Sequence, residues 1–137
     1  LKNQLCICGS QQWFSRCCEP FLKGTETAST PEKLMRSRYS AYALGGHGEY
    51  LLQTWFAPMA KGLSANDLSQ LDHQWLGLIV LGSGVSGNEG WVELKATYQD
   101  NNDVVEMHEK SVFTKVANRW FYIGGEVARI KAPKPQG

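Results

Sequence analysis

The 137-residue chain has no excess of one charge, no long apolar run and no cysteine after residue 18. Fourteen basic residues against thirteen acidic ones leave a formal +1, so no global field draws it toward nucleic acid or an anionic membrane. The longest apolar stretch, Trp75 to Leu81, spans seven residues including Gly77, whereas a membrane-spanning helix needs ~20. No apolar segment of signal-peptide length follows Lys2. Membrane insertion is therefore not expected, and a cytoplasmic location is. A Ser-His-Asp set, a phosphate-binding glycine loop and a catalytic-metal signature are all missing, so no motif points to an enzyme. What is present is ordinary: 42% hydrophobic and 20% charged residues suit one domain with its own core and exclude a disordered chain.

The cysteines are the exception. Cys6, Cys8, Cys17 and Cys18 form C-x-C, an eight-residue gap, then C-C. Two disulfides confined to so short a segment would close only small loops and stabilise little. A structural Zn2+ instead needs four soft ligands in a tetrahedron, delivered as two pairs by a turn. Gly9 and Ser10 provide that turn, since glycine tolerates positive φ. Trp13 and Phe14 are placed to lid the sulfurs and Arg16 to approach the thiolates, with Lys2 and Lys23 as further compensating charges. A metal-free or disulfide-linked cluster is the competing reading. Redox catalysis is a weaker one, because no C-x-x-C opens a helix in a βαβ context. The expectation is a knuckle ordered by metal, separable from a domain that stays folded when Cys6 and Cys8 are replaced by serine.

Cys6-Ile7-Cys8-Gly9-Ser10, Phe14 and Cys17-Cys18 resemble the SEC-C motif, the zinc-binding tail of the bacterial SecA translocation motor and other proteins. Two lysines usual in the middle of that motif are Gln11 and Gln12 here. The resemblance implies a protein partner, in protein export or at the ribosome.

Residues 1–19 thus form the motif, and the turn-rich residues 20–29 read as a linker. Thr30-Pro31 opens a helix, with threonine as cap and proline at the first helical position. It carries Leu34, Met35, Arg38, Tyr39, Ala41 and Tyr42 and stops at Gly45-Gly46. Shorter helices are expected over His47 to Phe56 and Ser64 to Leu71. From Gln74 the pattern changes to strands. Trp75–Leu81 reads as a buried run closed by Gly82-Ser83-Gly84, and residues 91–99 alternate between two faces. A turn at Asn101-Asn102-Asp103 leads into Val104–Val116, and Trp120–Ile123 is ended by Gly124-Gly125. The basic segment 127–137 reads as a loose tail.

Three helices followed by four antiparallel strands define an α+β class with the helices on one face of a curved sheet. That order resembles the cone-shaped nuclear-transport-factor-2-like (cystatin-like) fold, here over residues 30–126. The stretches Leu34–Tyr42, Tyr50-Leu51-Leu52 with Thr54-Trp55, Trp75–Leu78, His108–Phe113 and Arg119–Tyr122 resemble the bacterial YchJ family, in which a SEC-C motif precedes a domain of this fold.

Within that cone, Arg38 falls on the helix stripe that faces the sheet. Glu109 shares a strand face with Met107, Ser111 and Phe113. Buried charges are normally paired, so an Arg38–Glu109 ion pair is expected inside. His108 has the opposite parity and points away. Two function classes follow. In the first, the zinc knuckle presents Trp13, Phe14 and Arg16 to a protein partner. In the second, a cone cavity lined by Arg38, Tyr39, Trp55, Tyr98 and Glu109 takes a small ligand, with or without chemistry. Nucleic acid is disfavoured by the near-zero charge.

Overall fold

The computed structural model describes residues 4–131. A single antiparallel sheet of order β1-β2-β3-β4 is built from β1 (Gln74–Ser86), β2 (Glu89–Asp100), β3 (Asp103–Val116) and β4 (Arg119–Lys131). Before it come α1 (Glu19–Leu22), α2 (Pro31–Leu44), α3 (Gly48–Gln53) and α4 (Ala65–Leu68), with single 3-10 turns at Phe14–Arg16 and Ala57–Met59. No helix among the described residues is long and apolar enough to cross a membrane.

The long helix forms where its signals place it. Thr30 accepts a hydrogen bond from the Lys33 N–H, Pro31 sits in the first turn, and Gly45, at φ +72°, ends it. Ser64 likewise caps α4 by accepting from the Asp67 N–H. α2 lays Leu34, Met35 and Tyr39 against Leu78, Val92, Leu94, Ala96 and Phe113 of the sheet, and these residues make the core. α3 meets α4 at a corner with no room for a side chain: a Cβ on Gly48 would lie 1.8 Å from the Ala65 carbonyl oxygen. Gly48→Ala is expected to cost about 2 kcal/mol by overpacking, seen as a lower urea midpoint at unchanged slope. An unchanged midpoint would mean that the two helices separate freely.

Three sequence expectations are corrected. Residues 20–29 are not a bare linker, since α1 begins at Glu19 and Phe21, Leu22 and Ala28 pack on the core. Trp75–Leu81 is not a buried run. β1 is an edge strand in which only Leu78 is buried, and it continues through Gly82 and Gly84 to Ser86. Those glycines leave room for the Trp91 ring, whose Nε1 would sit 2.4 Å from a Cβ on Gly84. Nor does Gly124-Gly125 end the last strand. β4 runs on to Lys131, so 127–131 belong to the sheet rather than to a loose tail, and 132–137 lie outside the described residues.

Two local irregularities decide which side chains reach the interior. Leu76 is an extra residue between the Trp75 and Gly77 pairings, which keeps Trp75 and Leu78 on the same inner face. Ile123 is extra in β4, between the pairings of Tyr122 with Phe113 and of Gly124 with Val112. It switches the parity, so Tyr122 before it and Gly125, Val127 and Arg129 after it all face inward. Beside them, residues 54–56 run parallel to β4. The Tyr122 N–H donates to the Thr54 carbonyl at 2.8 Å, and the Phe56 N–H to the Tyr122 carbonyl at 2.7 Å.

Candidate functional site

The first site is the cysteine cluster. A hairpin closed by the Cys6 N–H to Gln12 carbonyl bond (2.7 Å) and the Phe14 N–H to Gln4 carbonyl bond (2.9 Å) carries Cys6 and Cys8. The 3-10 turn after it delivers Cys17 and Cys18. Gly9 turns the chain at φ +81°, where its missing Cβ would meet the Leu78 carbonyl at 3.0 Å. All four sulfurs lie within 4.8 Å of one another, with Cys8–Cys17 at 3.6 Å and Cys17–Cys18 at 3.9 Å. A tetrahedral metal with sulfur bonds of ~2.3 Å has sulfur–sulfur edges of about 3.8 Å, so the donor set fits a four-thiolate ion.

The thiols crowd one another. Hydrogen bonds from Cys18 and Cys6 hold the Cys8 thiol well below its ordinary value. Cys18 is raised by its own contacts with Cys6 and Cys8 and by burial, and burial pushes Cys17 up to about 11. A divalent cation held by all four sulfurs would displace the protons they carry.

Around the sulfurs, the sequence names the wrong cation. Arg16 is exposed, Lys23 pairs with Glu19, and Lys2 lies outside the described residues. Arg36 of α2 reaches in instead, donating from Nη1 to the Cys8 carbonyl at 2.7 Å and approaching the Cys8 sulfur at 3.9 Å. Burial opposes its charge, but Glu32, at 3.0 Å, and Cys8 outweigh that and raise it. Ser40, one turn on, lies 3.8 Å from the Cys6 sulfur. Phe14, read as a partner contact, is only 4% exposed and belongs to the core with Cys6, Cys8 and Cys18. The knuckle is therefore not separable: its core is the domain's core. Trp13 stays 48% exposed beside its bridge partner Leu5.

The second site is a cavity of about 340 Å³ between α2 and the sheet. Arg38, Tyr39, Trp55 and Glu109 all line it. Tyr98 does not; it stands behind the wall, stacked on His73 at 4.2 Å and tilted against Trp75. The expected Arg38–Glu109 ion pair is absent among the described residues. Arg38 Nη1 donates instead to the Leu51 carbonyl (2.7 Å) and Thr54 Oγ1 (2.6 Å). Its guanidinium packs beside the Trp55–Tyr122 ring pair, 4.7 and 4.6 Å from their centroids. Burial lowers the pKa of Arg38, opposed by Tyr42, Tyr122, Tyr50 and Glu109; starting above 12, it remains a cation at neutral pH.

Glu109 accepts from Ser111 and, at 3.0 Å, from the Tyr122 hydroxyl. Burial and the Glu109 charge push the Tyr122 phenol up, so it stays a donor. Tyr122 thus stands between the two charges, its ring on the cation and its hydroxyl on the anion. Gly125 gives the carboxylate its space, since a Cβ there would lie 2.8 Å from Glu109 Oε2. Sequence reasoning missed Tyr122 and Arg129 as cavity residues, because the parity switch at Ile123 has no sequence signature. His108 faces outward and pairs with Glu93 at 2.7 Å.

A cysteine knuckle clamped onto a helix-over-sheet cone is the architecture of a SEC-C motif joined to a nuclear-transport-factor-2-like domain. Family models match accordingly: SEC-C motif over residues 3–20, and YchJ, middle NTF2-like domain, over residues 30–125. The chain belongs to the YchJ family. A UPF0225 protein of Serratia proteamaculans is 41% identical over 128 residues, covering 89% of this chain and 82% of its own length. One from Photorhabdus laumondii is 39% identical, covering 98% and 87%. The solution structure of a SEC-C motif containing protein from Rhodopseudomonas palustris superposes with a TM-score of 0.83 at 35% identity, covering 90% of this chain and 98% of that one. The crystal structure of another, from Psychrobacter arcticus, gives 0.79 at 27% identity, covering 93% and 84%.

Proposed function

We propose that this protein binds a small molecule in its cone cavity, and that the four cysteines hold a structural Zn2+ that completes the domain. The observation carrying the first half is the pair of charged side chains, Arg38 of α2 and Glu109 of β3, that both line the cavity without forming an ion pair. A domain built only for stability has no use for that arrangement, because a buried guanidinium left without a counter-charge is costly. The cavity size falls at the small end of ligand pockets, which run from ~300 Å³ upward.

Zinc suits the closed four-sulfur set, which keeps no open position for catalysis. Metal analysis of protein purified without chelator is expected to give one zinc per chain and four protected thiols. Iron in its place, or four freely reactive thiols, defeats that assignment. For the cavity, the test is a screen of small aromatic probes followed through the tryptophan indole signals. Hits are expected to shift Trp55 and Trp75, which line the cavity, and to leave Trp13 and Trp91 in place. A screen without such hits up to millimolar concentration removes the reading.

A second reading has its own support. Trp13 and Leu5 are paired and exposed on the knuckle with Arg16 close by in sequence, a small apolar patch suited to docking on a protein. SecA and the ribosome are the partners to test, by analogy with other SEC-C proteins. Trp13→Ala is expected to abolish co-sedimentation with such a partner while leaving the melting temperature unchanged. Binding that survives the substitution excludes the knuckle as the docking surface.

A further inference from the structure

Arg38 is held in place on three sides. Trp55 and Tyr122, edge-to-face with centroids 5.2 Å apart, lie against adjacent sides of its guanidinium, and Leu51 and Thr54 take the donors of Nη1. The residue is only 5% exposed and the Tyr42 hydroxyl also approaches its guanidinium, yet Nε and Nη2 make no hydrogen bond within 3.5 Å among the described residues. Nor are they among the fully buried unpartnered atoms, of which His73 Nδ1 is the one example. These two donors therefore open onto the cavity. They form one edge of a planar fork whose spacing matches the two oxygens of a carboxylate. No carboxylate of the described chain lies within 4.0 Å of it. Across the Tyr122 ring, Glu109 receives both of its hydrogen bonds on Oε2, which leaves Oε1 to accept another. The walls between these groups are flat: Tyr39 edge-on to Trp75 at 5.7 Å, and Phe113 edge-on to Tyr122 at 5.7 Å.

Resting on the reading of the cone as a ligand site, we propose that its ligand is a single-ring aromatic carboxylate bearing a hydrogen-bond donor. The carboxylate sits on the Nε–Nη2 edge of Arg38, and the donor, a hydroxyl or amine, on Glu109 Oε1. The ligand supplies the counter-charge that the fold withholds from Arg38 and a partner for the open oxygen of Glu109. Size agrees, since benzene fills an apolar cavity of ~150 Å³ and one substituted ring fits in about 340 Å³. Phosphates also take a guanidinium edge in two-point fashion, but here they are disfavoured: the aromatic walls offer them nothing, and their further charge would face Glu109.

The test needs no variant to begin with. The three hydroxybenzoate isomers, the matching hydroxybenzamides, benzoate and phenol are titrated into the full-length, metal-loaded protein, with the indole signals of Trp55 and Trp75 as readout. At least one hydroxybenzoate is expected to bind about ten-fold or more tighter than its uncharged amide, and tighter than benzoate. Arg38→Lys, which keeps a charge but loses the fork, is expected to bring the acid-to-amide ratio close to one. Glu109→Gln is expected to erase the advantage of hydroxybenzoate over benzoate. Acid and amide binding alike, or benzoate matching every hydroxybenzoate, overturns this ligand class while leaving the cavity a binding site. If none of the probes, phenol included, shifts either indole, the ligand class and the reading beneath it fail together.

Discussion

Removing the zinc proposed for the knuckle is expected to lower the thermal midpoint of the whole protein by about 10 °C or more, not merely to loosen its first twenty residues. In an isolated zinc-finger peptide the metal contributes ~10–16 kcal/mol of apparent folding energy, because nothing else orders the chain. Here the sheet and α2 can order themselves in part, so the loss is smaller, but it is not local. Cys8 and Cys18 are essentially inaccessible to solvent, and with Phe14 they pack in one core with Leu34, Met35, Leu78 and Val92. Once the sulfurs are released, the hairpin keeps few contacts of its own. Phe14 leaves the core, and Arg36 loses its acceptor on Cys8. Exposing a phenylalanine and the apolar surface beneath it costs about 3–5 kcal/mol, and at this chain length each kcal/mol moves the midpoint by about 3–5 °C. Scanning calorimetry with and without a strong chelator, alongside Cys8→Ser, measures it. One shifted transition is expected in both samples. An unchanged main transition, with only the free-thiol count altered, would show that the knuckle is an appendage after all.

α2 explains why the two sites are not independent. Glu32, Arg36 and Ser40, one helical turn apart, face the knuckle. Arg38, Tyr39 and Tyr42 of the same helix line the cavity. A sequence stripe shows that a helix has an inside, and Arg38 was legible on that basis. It does not show that a second flank is also covered, so Arg36 was given no role and Phe14 read as free to meet a partner. The cysteine spacing was legible because tetrahedral thiolate geometry restricts it; its docking onto α2 and β1 was not, because contacts between distant segments leave no local pattern.

The sheet divides in the same way. Regular alternation placed Glu109, Ser111 and Phe113 on the inner face and His108 outside, as found. Reasoning failed where alternation is interrupted. Glycine pairs read as strand ends proved to be strand interiors, one making room for Trp91 and the other for Glu109. A glycine is ambiguous in sequence because it permits a turn and a close approach equally. The extra residue Ile123, which turns Arg129 inward, looks like any other β-branched strand residue.

Phe113→Ala is the substitution expected to test how far the cavity is part of the core. Phe113 is 1% exposed, at the point where the packed half of the cone meets the open half. Its ring lies edge-on to Tyr122, whose hydroxyl fixes Glu109 and whose face covers Arg38. Truncation removes most of a buried aromatic and leaves a void that the sheet cannot close, at a cost of about 3–5 kcal/mol. The void should also join the existing cavity rather than stand apart, since Phe113 is on its wall. Two results then go together: a midpoint lowered by about 10–20 °C, and a cavity that accepts a larger apolar ring but holds a carboxylate less selectively, because Tyr122 is free to tilt. Phe113→Leu, which keeps most of the volume, is expected to lose about 1 kcal/mol and to keep the preference. A large loss of stability with carboxylate selectivity intact would instead mean that Arg38 is held by Trp55, Leu51 and Thr54 alone, and that the Tyr122 ring is a lid rather than a support.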